Sequence, residues 1–328
     1  MSVAKYFFLF LLTVSSVTAQ IFHPPIQHIA DNIPDFNFSE IKARKIKSIV
    51  FDMVDKKDFQ VADDRDLSRH YEFDSLGRLT RCYYTVIKRI IQKEFHAAPV
   101  YKHRRLVYGG TTYSKNVYEF DTLSCAFFYN EKNNLSCKRY NDGSVYNSTY
   151  YWYDSLNRVT RVLYCRETNS SLDKSVFILG QQQKQFEEKF KYAYASETQY
   201  KKLCLNDEDR VFKEIIVTSM ADKQPKQYNE SFIATWINQL TDFTYNAKNK
   251  LIEKKITSNA AVPVEIKDTF EYDKNDFLDM EKHFKNGLMI SETGYVNDIA
   301  TGLPTSYVTR DPINKTMQIV RLLYTYYP

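Results

Sequence analysis

Short runs of apolar residues alternate with polar residues and end at an Asp or Asn, a period of two that is typical of β-strands. Two apolar, mostly aromatic, residues spaced by one precede the Asp or Asn. After the Asp or Asn come two residues of any type, then a Gly, Asn or Asp, then one residue of any type, and finally a Leu or Val. The pattern occurs in residues 71–79, 127–135, 151–159, 203–211, 243–251 and 270–278, and more loosely in 295–303. Each copy predicts a tight β-hairpin.

The residue types at the turn support this prediction. A three-residue hairpin loop places one residue in the left-handed region, which Gly, Asn and Asp tolerate best. The residues in that slot are Gly77, Asn133, Asn157, Asp209, Asn249 and Asp276. The residues that open the turn are Asp74, Asn130, Asp154, Asn206, Asn246 and Asp273, whose side chains can bond the backbone two residues on.

One hairpin cannot be stable alone, because three buried apolar side chains contribute at most about 9 kcal/mol while ordering each residue costs about 1–2 kcal/mol. The sequence therefore predicts an all-β fold, in which serial antiparallel β-hairpin repeats form an extended, twisted or partly wound sheet. The 15% aromatic content suits such sheets. These aromatic side chains form either the core or a stacking surface for sugars or bases.

The N-terminus predicts export. Residues 1–19 combine one Lys with a short apolar stretch and small residues before Ala19, which is typical of a signal peptide. Proline-rich residues 20–44 then predict an irregular arm, and 45–328 a single repeat domain. The mature chain has no apolar run long enough for a transmembrane segment. We expect a periplasmic, cell-surface-associated or secreted protein.

Two copies carry a family resemblance. Residues 70–80 (HYEFDSLGRLT) and 151–161 (YWYDSLNRVTR) resemble the YD repeats, also called RHS repeats, of bacterial surface proteins and toxins. The resemblance implies long antiparallel sheets that wind into a shell or strip. It also implies a short exported bacterial member with a binding or structural task.

Cysteine and histidine positions add one candidate bond. Of the five cysteines, Cys125 and Cys137 flank the turn at Asn130, so a disulfide between them is a candidate. The alternative is that the cysteines act as small buried apolar residues. The six histidines are dispersed, and we expect no metal site.

A basic stretch with interleaved tyrosines predicts a polyanion-binding surface, for example for acidic polysaccharide. Its candidate residues are Arg78, Arg81, Lys88, Arg89, Lys93, Lys102, Arg104 and Arg105. Lys and Arg on exposed strands also prevent edge-to-edge aggregation, which is the alternative explanation.

The chain contains no recognised catalytic or cofactor-binding motif. We therefore expect an exported non-catalytic scaffold that binds a cell-envelope component, a glycan or a protein partner. The alternative is a secreted carbohydrate-active hydrolase, because two carboxylates from distant repeats can meet in the fold.

Overall fold

The computed structural model describes residues 21–22, 33–60, 62–96, 100–102, 105–108, 112–142, 145–173 and 176–328. The predicted signal peptide, residues 1–19, lies outside these ranges. No helical segment within them has the length and apolar character needed to cross a lipid bilayer.

The described chain contains one helix, α1 (Phe38–Ala43), followed by strands throughout. The strands are β1 (Ile46–Lys57), β2 (Asp63–Phe73), β3 (Leu79–His96), β4 (Val100–Lys102), β5 (Arg105–Tyr108), β6 (Thr112–Tyr129), β7 (Leu135–Asn141), β8 (Tyr146–Tyr153), β9 (Val159–Asn169), β10 (Leu179–Tyr194), β11 (Gln199–Leu205), β12 (Val211–Ser219), β13 (Pro225–Phe232), β14 (Ile237–Tyr245), β15 (Leu251–Ser258), β16 (Val264–Tyr272), β17 (Leu278–Lys285), β18 (Leu288–Asn297), β19 (Pro304–Asp311) and β20 (Thr316–Tyr326).

These strands confirm the predicted all-β antiparallel class but not the predicted extended, twisted or partly wound sheet. Eighteen of them form one sheet, in which successive strands pair, β3 pairs directly with β6, and β1 pairs with both β2 and β20. The sheet is therefore a closed barrel. Closure leaves no unpaired edge around the ring, and β4 and β5 form a separate two-stranded ladder.

The predicted turn chemistry is confirmed at all six positions. The residues in the left-handed slot have φ values of 79° (Gly77), 64° (Asn133), 59° (Asn157), 60° (Asp209), 59° (Asn249) and 66° (Asp276). The Asp or Asn that opens each turn accepts hydrogen bonds from the backbone N–H groups two and four residues on, at 2.8–3.1 Å. Both ends of each loop are therefore held as the sequence predicted.

The copy at residues 203–211 runs in the opposite direction from the other five. Because neighbouring strands run in opposite directions around the ring, the loops of the other five copies lie at one end of the barrel, called here the turn end. The loop at 206–210 lies at the opposite end. At the turn end the equivalent loop joins β12 to β13, where Lys223 has a φ of 70° and donates its N–H to the Met220 carbonyl. Neither residue fits the repeat pattern.

A recurring tyrosine joins one hairpin to the next at the turn end. Each hydroxyl donates a hydrogen bond of 2.6–2.8 Å to the carbonyl of the first residue of a nearby strand. The pairs are Tyr129 to Leu79, Tyr153 to Leu135, Tyr192 to Val159, Tyr245 to Pro225, Tyr272 to Leu251 and Tyr324 to Pro304. In the looser repeat the Asn297 amide makes the same bond to the Leu278 carbonyl. Tyrosines inside and outside the repeat copies thus tie neighbouring hairpins together.

The N-terminal segment packs inside the barrel. Phe36 is 2% exposed, and its ring lies 5.0 Å from that of Tyr71 and 5.2 Å from that of Phe73. Asn37 caps α1 by accepting a hydrogen bond from the Glu40 N–H. Part of the predicted irregular arm, residues 20–44, is therefore helical and belongs to the core.

Helix α1 covers the first hairpin turn. A Cβ atom added at Gly77 would lie 2.6 Å from the Phe38 carbonyl oxygen and 2.8 Å from the Lys42 nitrogen. The other five loops hold Asn or Asp at this slot. Gly77 therefore meets two demands, the positive φ and the close approach of the helix backbone.

Candidate functional site

The interior of the barrel has one packed side and one open side. The packed side carries the core cluster of β1, β2, β3, β19 and β20 with the N-terminal segment. The residue pairings between neighbouring strands place Tyr71, Tyr140 and Arg166 on the same, inward face of the sheet. Tyr164 lies two residues from Arg166 on β9, so its side chain also points inward. The opposite side, formed by β8 to β13, is called here the open sector.

Aromatic side chains of the open sector face inward without being buried. Phe186 is 46% exposed, and its ring stacks on that of Tyr164 at 3.9 Å with an interplanar angle of 18°. Tyr194 is 58% exposed and lies 5.5 Å from Tyr200. Inward-facing rings with this exposure border a space that the described residues do not fill, so each ring leaves part of its surface available to a ligand.

A basic group accompanies these rings. The Lys202 ammonium lies 3.9 Å from the centre of the Phe190 ring, and burial lowers the pKa of this lysine. Lys202 lies opposite Tyr192 on the inward face. The open sector therefore offers flat apolar faces beside polar groups, an arrangement suited to sugar rings, which have both kinds of surface.

A cavity of about 420 Å³ lies on the packed side, between the N-terminal segment and the wall. Phe51, Tyr295 and Tyr307 supply its aromatic lining, while Arg69 and Glu281 bring opposite charges to it. A cavity of this size can enclose a small molecule.

Charged groups cluster in the wall next to this cavity. Asp268 is 4% exposed and lies 2.5 Å from the His283 Nδ1, and the 2% exposed Lys254 lies opposite Asp268 on the next strand. Burial and the neighbouring Asp268 charge raise the pKa of Glu281 to about 7. The Tyr295 hydroxyl donates to the Glu281 carboxyl at 3.3 Å. Two inward carboxyls therefore share one face, with Glu281 protonated more readily than usual.

No metal-binding geometry accompanies these carboxyls. Within the described ranges, no group of three or more His, Cys, Asp or Glu side chains is placed to hold a metal ion.

The structure does not gather the predicted polyanion-binding residues into one site. Arg78 lies in the first turn, where it pairs with Asp74 and lies over the Tyr129 ring. Lys93 lies near the far end of β3, about 50 Å from Arg78, since an extended chain rises about 3.3 Å per residue. Arg81, Lys88 and Arg89 lie between them along β3, and Arg81 stacks on Tyr83. Lys102 and Arg105 lie on β4 and β5, and Arg104 lies outside the described residues.

The structure also keeps Cys125 and Cys137, the two cysteines of the predicted disulfide, apart. Cys125 lies opposite Tyr140, and Cys137 lies opposite Phe128. A β-bulge between Phe128 and Tyr129 shifts the register by one residue, so the two thiols point to opposite faces of the sheet. Both are buried, and no bond joins them.

Charged pairs lie on the outward face of several strands between β9 and β19. The pairs are Arg161 with Glu187, Lys201 with Glu214, Lys255 with Glu265, Lys282 with Glu271 and Arg310 with Glu292, at 2.5–3.9 Å. Each lies one residue along the strand from an inward position. Sequence reasoning missed this division because it could not tell which face of each strand points inward.

Comparison with known proteins adds the following. No protein-family model matches the chain, and no curated protein matches it. Among solved structures, it is similar to a porin-like protein from Bacteroides uniformis ATCC 8492, with 9% identity, a TM-score of 0.35 and coverage of 85% of this chain and 98% of that chain. It is also similar to a porin-like protein from Bacteroides vulgatus ATCC 8482, with 8% identity, a TM-score of 0.29 and coverage of 64% and 94%.

Closure of the sheet corrects the predicted membership in the YD-repeat family, which is wrong. The sheet closes at 18 strands instead of continuing as a strip. No family model matches the chain, so none supports the repeat assignment. The tight turns that suggested the kinship are real, but turn chemistry of this kind arises wherever short antiparallel strands are joined.

Proposed function

We propose that this chain is an exported, non-catalytic β-barrel protein that binds a glycan in the open sector of its interior. The observation that carries the proposal is the half-exposed inward aromatic surface around Phe186 and Tyr194. Sugar rings stack on such faces, while their hydroxyls bond nearby polar groups. The signal-like residues 1–19 support export.

The outward charges support a location in water. A Lys or Arg on a lipid-facing position costs about 2–4 kcal/mol at the bilayer midplane. Several strand pairs of this barrel carry such residues outward, including Lys201 and Lys255 with their acidic partners. We therefore place the protein in the periplasm, at the cell surface or in the medium, with its outer wall in water and its ligand inside.

A binding experiment tests the open sector. The chain without residues 1–19 is screened against envelope glycans, and the best ligand is titrated by calorimetry. Phe186→Ala is expected to weaken binding about tenfold, because losing one stacking face removes about 1.5 kcal/mol. Phe128→Ala is the matched control, since Phe128 is 44% exposed on the outward face. Equal losses in the two variants would contradict an interior site.

The hydrolase alternative has one observation in its favour, the inward pair of Asp268 and Glu281 with the raised pKa of Glu281. A protonated carboxyl near an ionised one is the arrangement that glycosidases use. Incubating the bound glycan with the protein and measuring new reducing ends separates the two functions. We expect none. Turnover that Glu281→Gln abolishes, while the outward Glu271→Gln retains it, would establish the hydrolase instead.

A further inference from the structure

Two cysteines on neighbouring strands face each other. Cys82 on β3 and Cys125 on β6 are directly opposite in the ladder, and each is 2% exposed on the inward face. Their side chains hydrogen-bond each other, which lowers the pKa of the Cys82 thiol.

The backbone geometry suits a covalent bond. Directly opposite residues of antiparallel strands have Cα atoms about 4.5–5.5 Å apart, and disulfides span about 4.4–6.8 Å. Cys137, by contrast, lies on the opposite face from Cys125. The strand register therefore makes Cys82, and not Cys137, the cysteine that can bond to Cys125.

The pair lies at the root of a projecting arm. The ladder between β3 and β6 continues to the pair of His96 with Thr112. The flanking pairings end much earlier, β2 with β3 at Tyr84 and β6 with β7 at Ser124. Beyond these residues no other described strand of the sheet pairs with β3 or β6, and isolated two-stranded ladders are marginally stable.

An arm of this kind needs its register fixed at one point. A slip by one residue between β3 and β6 would turn every side chain of one strand to the other face. The barrel wall fixes the strands only up to the root, where Cys82 and Cys125 lie. A bond there would hold the register where the arm leaves the wall.

We propose that Cys82 and Cys125 form a disulfide that locks the register of the β3–β6 arm. The bond forms by thiol–disulfide exchange with an oxidising disulfide, either that of a thiol oxidoreductase or oxidised glutathione. The Cys82 thiolate attacks one sulfur of that disulfide and expels the other as a thiolate, and the Cys125 thiolate then attacks the Cys82 sulfur of the mixed disulfide and expels the oxidant's second thiolate. Two protein thiols lose two protons and two electrons, and the oxidant is reduced to two thiols. Since both residues are buried in the folded barrel, oxidation precedes closure.

Peptide mapping tests the pairing directly. The full chain is refolded in oxidised and reduced glutathione, its remaining thiols are alkylated, and it is digested with trypsin without reductant. Cleavage after Lys and Arg places Cys82 in residues 82–88, Cys125 in 116–132 and Cys137 in 133–138. The expected result is a linked peptide of 82–88 with 116–132, and its loss on reduction.

Two variants complete the experiment. Cys137→Ser should retain the linked peptide, whereas Cys82→Ser should leave Cys125 alkylated. Recovery of both wild-type peptides in alkylated form, or a link between 116–132 and 133–138, would overturn the proposal. Reduction should also lower the Tm of the wild type by about 5 °C, because the bond closes a long loop, and leave the Tm of Cys82→Ser unchanged. An equal change in Tm on reduction of the wild type and of Cys82→Ser would likewise contradict the proposed disulfide.

Discussion

Replacing Gly77 with alanine tests whether helix α1 is held against the first hairpin turn. An alanine there must adopt a φ of 79°, which costs about 1–2 kcal/mol for a residue with a Cβ atom. Its Cβ would also lie 2.6 Å from the Phe38 carbonyl oxygen and 2.8 Å from the Lys42 nitrogen. Both are backbone atoms, so no side-chain rotation relieves the overlap. Overpacking of this kind adds about 1–3 kcal/mol, and we expect a total loss of about 3 kcal/mol.

Gly287 provides the matched control. It has the same φ of 79°, but a Cβ added there meets nothing within 4 Å. Gly287→Ala should therefore show the backbone cost alone, about 1–2 kcal/mol. Gly77→Asn measures the cost of the overlap with the α1 backbone alone. Asn adopts this φ easily, as Asn133 does, but it brings the same Cβ as alanine.

The assay is the free energy of unfolding from urea denaturation of each variant, with limited proteolysis at Lys42 and Arg44 as a local measure of α1. We expect the two Gly77 variants to expose α1 to trypsin and Gly287→Ala to protect it as in the wild type. If Gly77→Ala and Gly287→Ala lose the same free energy within about 0.5 kcal/mol, the packing of α1 on the turn does not contribute as described.

Three further predictions concern single side chains. Tyr153→Phe should lower the free energy of unfolding by about 1 kcal/mol, because its hydroxyl donates to the Leu135 carbonyl at 2.8 Å. Burial and a nearby carboxylate raise the pKa of Glu281 from 4.5 to about 7, so the native state keeps a proton that the unfolded chain loses, and stability falls as pH rises between these values. Glu281→Gln should thus stabilise the protein at pH 8 by up to about 3 kcal/mol, with no gain near pH 4. Arg139→Met should cost about 3 kcal/mol at pH 7, because it leaves the fully buried Glu167 without its cation, and the loss should shrink in acid as Glu167 takes up a proton.

The first two of these predictions have a control variant on the same measurement. Tyr151→Phe removes a hydroxyl that makes no hydrogen bond with the described residues, so its effect should be smaller than that of Tyr153→Phe. Glu271→Gln, at an outward carboxyl paired with Lys282, should not reproduce the pH-dependent gain at Glu281. A pH-independent effect at Glu281, or no loss of stability for Arg139→Met at pH 7, would contradict the electrostatic reasoning.

Local turn chemistry was predictable because it depends on a few adjacent residues. The carboxyl or amide of a residue such as Asp154 bonds backbone groups within four positions, and Asn157 adopts a positive φ whatever lies around it. The same reasoning failed where context decides. Lys223 has a positive φ without the usual residue type, and 203–211 follows the pattern yet turns at the other end.

Closure and the candidate site depend on contacts that sequence periodicity does not contain. Pairing of β1 with β20 joins residues such as Met53 and Val320 from opposite ends of the chain. A period of two shows that residues alternate between faces, but closure decides which face is the interior. β-bulges also change which face a residue occupies, because they shift the strand register. The bulge beside Tyr129 places Cys137 on the face opposite to the expected one. The sequence therefore predicted the strands without predicting the ring they form or the open sector inside it.

The tyrosine that joins successive hairpins has a consequence for evolution. Each junction uses one hydroxyl and one carbonyl, as Tyr153 with Leu135 illustrates, and does not involve the rest of the ring. Duplicating or deleting a hairpin together with its tyrosine would alter the circumference by two strands and leave every remaining junction chemically intact. Homologues are therefore expected to differ by even numbers of strands, so gene-level gain or loss of hairpins can adjust the bore of the barrel to cargoes of different width.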